Sequence, residues 1–150
     1  MIVRKVIYSI LNLFDLHKEK IPNLILQKFK KHPHLSRKDK HRIRACINEI
    51  IRYLGLIDHL IELGSERKIK YVNPKIRNVL RLGIYELIFD DITPEFAAIH
   101  SNVELAKKNI NKRSSSMVNA VMRNIQRLSQ KNSNLKMSLI EDKIDLAYPK

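Results

Sequence analysis

The segment from residue 73 to residue 88 constrains the fold of this chain more than any other stretch. Asn73 followed by Pro74 signals a helix start, because asparagine caps helices well and proline is harmless at the first helical position. Apolar residues then recur with the i, i+3, i+4, i+7 spacing of one helical face, namely Ile76, Val79, Leu80, Ile84, Leu87 and Ile88. Leu82, Tyr85 and Phe89 lie off that face. A helix that is apolar on most sides predicts the central helix of a helical core.

Gly83 lies on the same face of this helix as Leu80 and Leu87. A missing side chain at that position predicts that another helix approaches closely. The alternative is that Gly83 is merely tolerated, at a cost of about 1 kcal/mol relative to alanine.

The N-terminal part of the chain also follows helical spacing. Residues 2–16 form an amphipathic helix whose polar residues point outward, and these are Arg4, Lys5, Asn12 and Asp15. A short helix covers residues 22–31. Ser36 caps the next helix, with Asp39 in a capping-box-like position, and Gly55 marks a bend in it.

The C-terminal part contains two more helices after the central one. Thr93 and Pro94 repeat the cap-plus-proline signal and start a helix whose inner face carries Phe96, Ile99, Val103 and Ala106. The polar run over residues 109–116 predicts a loop, and a last helix follows from Val118. Residues 64–72 are a polar connector that divides the chain. We therefore predict an all-α bundle of about six to seven helices in two packed three-helix halves.

Composition indicates one basic domain. A chain of 150 residues with 44% hydrophobic content can bury one core. Its 29 lysines and arginines exceed its 15 acidic residues, which gives a formal net charge of +14 and favours a polyanionic partner. No apolar run reaches the roughly 20 residues that span a bilayer, and no secretory signal pattern is present, so we expect a cytoplasmic protein. The single cysteine, Cys46, lies on an apolar helical face and is expected to be buried.

Two strings in the second half carry a family resemblance. The strings LRLGIYELIFDDITPEFAAIHSNVELAK and MVNAVMRNI, in this order and spacing, resemble the NusB family domain. The resemblance extends upstream through Leu35-Ser36, Asp39-Lys40 and Ile57-Asp58 and covers most of residues 3–128. It departs from the family where His100 and Ser101 replace the usual Asn-Glu pair.

The resemblance implies an all-helical RNA-binding domain. This domain occurs alone as a transcription antitermination factor, and also as the N-terminal domain of bacterial rRNA cytosine-5 methyltransferases of the RsmB (Sun/Fmu) type. The resemblance further implies RNA, in particular rRNA, as the partner, with a ribosomal or transcription-complex protein as a second partner. Residues 1–131 would form the NusB-like domain. Residues 132–150 are expected to be a linker and a short helix that lead toward a catalytic domain absent from this chain.

Candidate RNA-binding residues follow from the charge runs. The densest run surrounds the helix start at Ser36, where backbone N–H groups and side-chain cations can address the same phosphate. A second run frames the predicted loop over residues 109–116, and basic residues also lie in the first helical turn of the chain. A run of charges is also compatible with a solvated face. The candidate residues are Arg4, Lys5, Arg37, Lys38, Lys40, Arg42, Arg44, Lys107, Lys108, Lys112 and Arg113.

Catalytic chemistry finds little support in the sequence. His32, His34, His41 and Cys46 lack the spacing of a tetrahedral metal site. Only three glycines occur in the chain, and no glycine-rich loop for a nucleotide or S-adenosylmethionine is present. The pair Asp90-Asp91 is interpreted as a helix stop. We therefore expect a chain that is not itself an enzyme, with S-adenosylmethionine expected only for a missing catalytic domain.

Two functions remain open from the sequence. The first is a non-catalytic RNA-binding domain of an rRNA cytosine-5 methyltransferase, which positions rRNA for the catalytic domain. The alternative is a stand-alone antitermination factor that binds RNA together with a small-subunit ribosomal protein.

Overall fold

The computed structural model describes residues 2–16 and 19–131, and all regular secondary structure within them is helical. The seven α-helices are α1 (Ile2–Leu16), α2 (Ile21–Lys31), α3 (Arg37–Arg52), α4 (Leu54–Ser65), α5 (Pro74–Ile84), α6 (Glu95–Asn109) and α7 (Lys112–Lys131). A short 3-10 turn, Ile69–Tyr71, precedes α5, and a π-helical turn, Tyr85–Phe89, follows it. The predicted all-α fold of six to seven helices is confirmed. None of the described helices is both long and apolar enough to cross a membrane.

Helix α5 is the centre of the bundle, as its sequence predicts. The Asn73 side chain caps it by accepting hydrogen bonds from the backbone N–H groups of Lys75 and Ile76, at 2.9 and 3.4 Å. Every residue from position 78 to position 84 is buried, and the helix packs against α1, α4, α6 and α7. Burial on all sides explains why the apolar residues of α5 are not confined to one stripe.

Two glycines allow α7 to approach the core closely. A Cβ atom on Gly83 would lie 2.7 Å from the Sδ atom of Met122, and one on Gly64 would lie 2.8 Å from the Cδ1 atom of Ile125. Both distances are shorter than carbon contacts normally are. The predicted close approach at Gly83 is thereby confirmed, and α7 is the helix that makes it.

The helices group differently from the predicted division in one respect. Helix α4 precedes the connector over residues 64–72 but packs with α5 and α7, whereas α1 packs with α2 and α3. The boundary between the two groups therefore lies at Tyr53, where α3 ends and α4 begins. The Tyr53 ring stacks on Phe89 with ring centroids 5.0 Å apart. Contacts between α1 and α5 join the two groups.

Two local predictions for the C-terminal helices are wrong. The polar run over residues 109–116 is not a loop, because α7 already begins at Lys112. The Asn111 side chain caps this start by accepting a hydrogen bond from the Ser114 N–H group at 2.7 Å, so a polar first turn is stable. Phe96 was expected to face inward, yet it is 76% exposed. It lies in the first turn of α6, where the inward positions belong to Ala98 and Ile99.

The predicted linker and helix over residues 132–150 lie outside the described residues.

Candidate nucleic-acid interface

The start of α3 presents free cations beside free backbone donors. The Ser36 side chain caps the helix by accepting a hydrogen bond from the Asp39 N–H group at 3.0 Å. Arg37 and Lys38 occupy the first turn and are exposed. The first N–H groups of a helix lack partners within the helix, so this turn can donate hydrogen bonds to an anion.

Lys40 and Arg44 extend this surface along α3. The Lys40 Nζ atom lies 5.7 Å from the centroid of the Phe29 ring, and the Arg44 guanidinium carbon lies 4.9 Å from it. Phe29 belongs to α2, so both side chains pack across the contact between α2 and α3. Cation–π contacts of this kind orient a cation while leaving its charge in place.

Arg42 belongs to the interior rather than to this surface. Its guanidinium donates to the carboxylate of Asp90, whose side chain is only 4% exposed. Thr93 also donates to Asp90 through its hydroxyl, at 2.8 Å. Burial opposes the ionisation of both groups, but the hydrogen bonds between them outweigh the effect of burial. The pKa of Asp90 therefore lies below its ordinary value of 3.8. The pKa of Arg42 lies above its ordinary value. Arg42, one of the candidate RNA-binding residues, is therefore engaged in an ion pair with Asp90 and is not a free cation of this surface.

Arg4 is likewise engaged inside the fold, although it was expected to point outward. Its Nε atom lies 3.0 Å from the Oε1 atom of Glu86, and its Nη2 atom lies 2.7 Å from Oε2. Glu86 also accepts a hydrogen bond from the side-chain amide of Asn102 at 2.9 Å. A buried carboxylate requires such partners, because an unpaired charge in the interior is costly. Lys5, the neighbouring candidate, is exposed.

The junction between α6 and α7 is the second basic surface. Lys107 and Lys108 lie in the last turn of α6, and Lys112 and Arg113 lie in the first turn of α7. Only residues 110 and 111 separate the two helices, so the four cations share one tight corner. All four are exposed.

Both surfaces place cations where they weaken a helix. Arg37 and Lys38 at the start of α3, and Lys112 and Arg113 at the start of α7, oppose the helix dipole by some tenths of a kcal/mol each. No ion pair within the described part of the chain involves any of these four residues. A bound anion would compensate both helix starts, since it would accept from the N–H groups and neutralise the cations.

Cys46 and the histidines form no reactive centre in the described structure. Cys46 is buried, as predicted, and burial raises the pKa of its thiol to about 11. Among the described residues, no group of three or more His, Cys, Asp or Glu side chains is arranged to hold a metal ion.

The ion-pair network around Asp90 and Glu86 was missed by the sequence interpretation. Asp90-Asp91 does end the helical segment, but Asp90 also anchors α3 through Arg42. One signal for this network was present in the sequence. Glu86 lies inside a segment that is apolar on most sides, and a carboxylate at such a position requires a cationic partner.

Related proteins of two kinds align with this chain. A probable ribosomal RNA small subunit methyltransferase B from Synechocystis sp. is 34% identical over 116 residues, which make up 77% of this chain and 25% of that protein. Its counterpart from Bacillus subtilis is 30% identical over 70% of this chain and 23% of its own length. A transcription antitermination protein NusB from Coxiella burnetii is 31% identical over 58% of this chain and 63% of its own length. The chain thus spans about a quarter of the methyltransferase relatives.

Solved structures share the fold. A chain in the crystal structure of a plectonemic RNA supercoil superposes with a TM-score of 0.81 at 23% identity, over 87% of this chain and 95% of that chain. A chain in the crystal structure of the antitermination factors NusB and NusE with double-stranded RNA gives a TM-score of 0.78 at 24% identity, over 84% of this chain and 94% of that one. The sequence model of the NusB family matches residues 1–127, which is most of the chain. The protein is therefore a member of the NusB family.

Proposed function

We propose that this chain is an RNA-binding domain that holds phosphates at the starts of α3 and α7. The observation that carries the proposal is the exposure of unpaired cations at both helix starts, where backbone N–H groups point at the same space. The formal net charge of +14 provides the long-range attraction for a polyanion. Such a role belongs in the cytoplasm.

The parent protein of this domain is, in this proposal, a bacterial rRNA cytosine-5 methyltransferase. The domain would position rRNA for a catalytic domain that this chain does not contain. Support comes from the methyltransferase relative that aligns with 77% of this chain at 34% identity. The sequence of the gene beyond the codon for Lys150 tests this proposal directly. A glycine-rich nucleotide-binding fold encoded there supports it, and a stop codon at that point refutes it.

A stand-alone antitermination factor is the second candidate. The NusB relative supports it, because this chain aligns with 63% of that protein at 31% identity. This candidate predicts a stable complex with NusE, the protein found beside NusB in the related crystal structure. Analytical ultracentrifugation of the chain mixed with NusE, with and without RNA, measures that complex. The first candidate requires RNA binding without NusE.

The chain by itself is not an enzyme in this proposal and does not bind S-adenosylmethionine. Its three glycines form no phosphate-binding loop, so a nucleotide-like cofactor has no cradle of backbone N–H groups. Titration calorimetry with S-adenosylmethionine tests the statement. A saturable isotherm in the micromolar range contradicts it.

The salt dependence of RNA affinity tests the phosphate-binding surface. Replacement of Arg37, Lys38, Lys40 and Arg44 with alanine should flatten the plot of log affinity against log salt by roughly three units on structured RNA. A second variant, called the α6–α7 variant, replaces Lys107, Lys108, Lys112 and Arg113 with alanine. The slope of log affinity against log salt should flatten by a similar amount in this variant, because these cations surround the start of α7.

A third variant serves as the matched control. It replaces Arg67, Lys68 and Lys70, three exposed cations in the connector between α4 and α5, together with Lys131, an exposed cation in the last turn of α7. The loss of net charge is the same in all three variants, so general electrostatic attraction falls equally. The proposed function is rejected if the control loses as much slope as the other two. Circular dichroism must show unchanged helix content in each variant.

A further inference from the structure

An open groove of about 330 Å³ lies between α6 and α7, outside the two basic surfaces. Its apolar lining consists of Phe96, Ile99 and Val103, all from α6. Phe96 is 76% exposed, which is unusual for a side chain of this size. A flat ligand that covered the ring would remove apolar surface from water.

Polar side chains complete the lining of the groove, and none of them has a hydrogen-bond partner among the residues that the structure describes. They are His100 from α6, and Asn119, Arg123 and Gln126 from α7. Elsewhere in the described structure, side-chain amides and guanidinium groups such as Asn78, Asn102 and Arg81 are engaged in hydrogen bonds. Within the described residues, none of the four groove side chains donates or accepts one. Their donors and acceptors are therefore available to a ligand.

The combination of these groups matches the chemistry of an unpaired nucleobase. Aromatic rings and guanidinium planes stack on base faces, and side-chain amides donate to and accept from base edges. A volume of about 330 Å³ is near the lower end of the range for small-ligand pockets, which suits one planar ring system. A paired base offers neither its face nor its pairing edge, so the groove would select single-stranded segments.

The groove is continuous with the basic corner at the α6–α7 junction. Phe96, His100, Val103 and Lys107 follow one another at spacings of four, three and four residues, which places them on one face of α6. On α7, Lys112 precedes Asn119 by seven residues, or two helical turns. A strand whose base lies against Phe96 would therefore extend over roughly 16 Å to phosphates at Lys107.

We propose that the groove between α6 and α7 binds an unpaired nucleobase of the RNA, stacked on Phe96 and hydrogen-bonded by the polar side chains of α7 that line the groove. The inference rests on the proposed RNA-binding function and adds a preference for single-stranded segments adjoining the phosphate surface.

The test compares two substitutions at Phe96 on the full chain. Phe96→Ala should weaken binding to a single-stranded RNA by about 5- to 150-fold, the range of one lost base–aromatic stack. Phe96→Trp should retain the affinity, because a larger ring still stacks. Neither substitution should change the salt slope, since no phosphate contact is lost. Binding to a fully paired RNA duplex should be unchanged in both.

Tyr71→Ala is the matched control, because Tyr71 is also an exposed aromatic residue, at 68%, but lies in the turn before α5. It should leave both affinities unchanged. The proposed nucleobase site is overturned if Phe96→Ala loses the same affinity for duplex RNA as for single-stranded RNA. An unchanged single-strand affinity also overturns it and leaves the groove as a contact for a protein segment. Failure of the phosphate-surface variants to lower the salt slope would instead overturn the RNA-binding function itself.

Discussion

Arg42 and Asp90 are 48 positions apart in the sequence, and their ion pair joins α3 to the end of the π-helical turn after α5. The hydroxyl of Thr93 donates to the same carboxylate, so three segments of the chain meet at one buried charge. The side chain of Asp90 is 4% exposed and that of Arg42 is 28% exposed. Loss of the arginine would leave a carboxylate without its cation in the interior.

Arg42→Ala should therefore destabilise the protein, by about 2–3 kcal/mol, which is less than for a fully buried pair because water reaches the arginine. Urea unfolding followed by circular dichroism measures the change. Arg37→Ala, at an exposed position on the same helix, is the control and should lie within about 0.5 kcal/mol of the wild type. Similar losses in the two variants would contradict an interior role for Arg42.

The Asp90 carboxylate should make stability depend on pH in the acid range. The pKa of Asp90 is lower in the folded state than its ordinary value of 3.8, so the unfolded state binds a proton more readily. The stabilisation is therefore complete above about pH 3.8. It is lost as the pH falls through the pKa of the folded state. Asp90→Asn should be less stable than the wild type at pH 6, and the difference should shrink below pH 4. Unfolding curves collected between pH 2.5 and pH 6 measure this convergence. Parallel curves over the whole range would refute it.

Gly64→Ala should destabilise the protein, by about 1–3 kcal/mol, through overpacking. The new methyl group would lie 2.8 Å from Ile125 and 3.0 Å from Val121, and β-branched side chains have little rotamer freedom with which to yield. Gly55→Ala is the matched control, because its new methyl group would meet no atom within 4 Å apart from its chain neighbours and the backbone of its own helix. That variant should gain about 0.5–1 kcal/mol from improved helix propensity. A neutral or stabilising Gly64→Ala variant would mean that α7 does not pack closely on α4.

Gly83→Leu should cost more than about 2 kcal/mol. A single methyl group at Gly83 meets only the end of the flexible Met122 side chain, which can move aside, but a leucine side chain needs space that α7 occupies. Thermal unfolding of Gly83→Ala and Gly83→Leu separates the two cases. A neutral leucine variant would show that this face of α5 is not closely packed.

Cys46 should resist thiol reagents in the folded protein. It is 1% exposed, and burial raises the pKa of its thiol to about 11, so little thiolate exists at pH 8. Its modification rate should be about 100-fold or more lower in buffer than in concentrated urea. A spectrophotometric thiol assay measures both rates. Equal rates would place Cys46 on the surface.

The sequence predicted the helical elements well where local chemistry controls them. The cap at Asn73 and the apolar residues of α5 identify the central helix, because capping and helical periodicity depend only on neighbours within one or two turns. The same local reasoning failed at residues 109–116, since a helix with a polar first turn resembles a loop in sequence. The inward assignment of Phe96 failed for a related reason. Periodicity assigns a residue to a stripe but does not say whether another helix covers the first turn of that stripe.

The sequence by itself determined an all-α bundle around α5 and a strongly basic surface. Only the tertiary structure decided which cations are free to bind a ligand. Arg4 and Arg42 belong to basic stretches like those of Arg37 and Lys38, yet they pair with Glu86 and Asp90, which lie 82 and 48 positions away. Helical spacing shows on which side of its helix a side chain lies. The charge that the side chain contacts depends on how separate helices pack against one another.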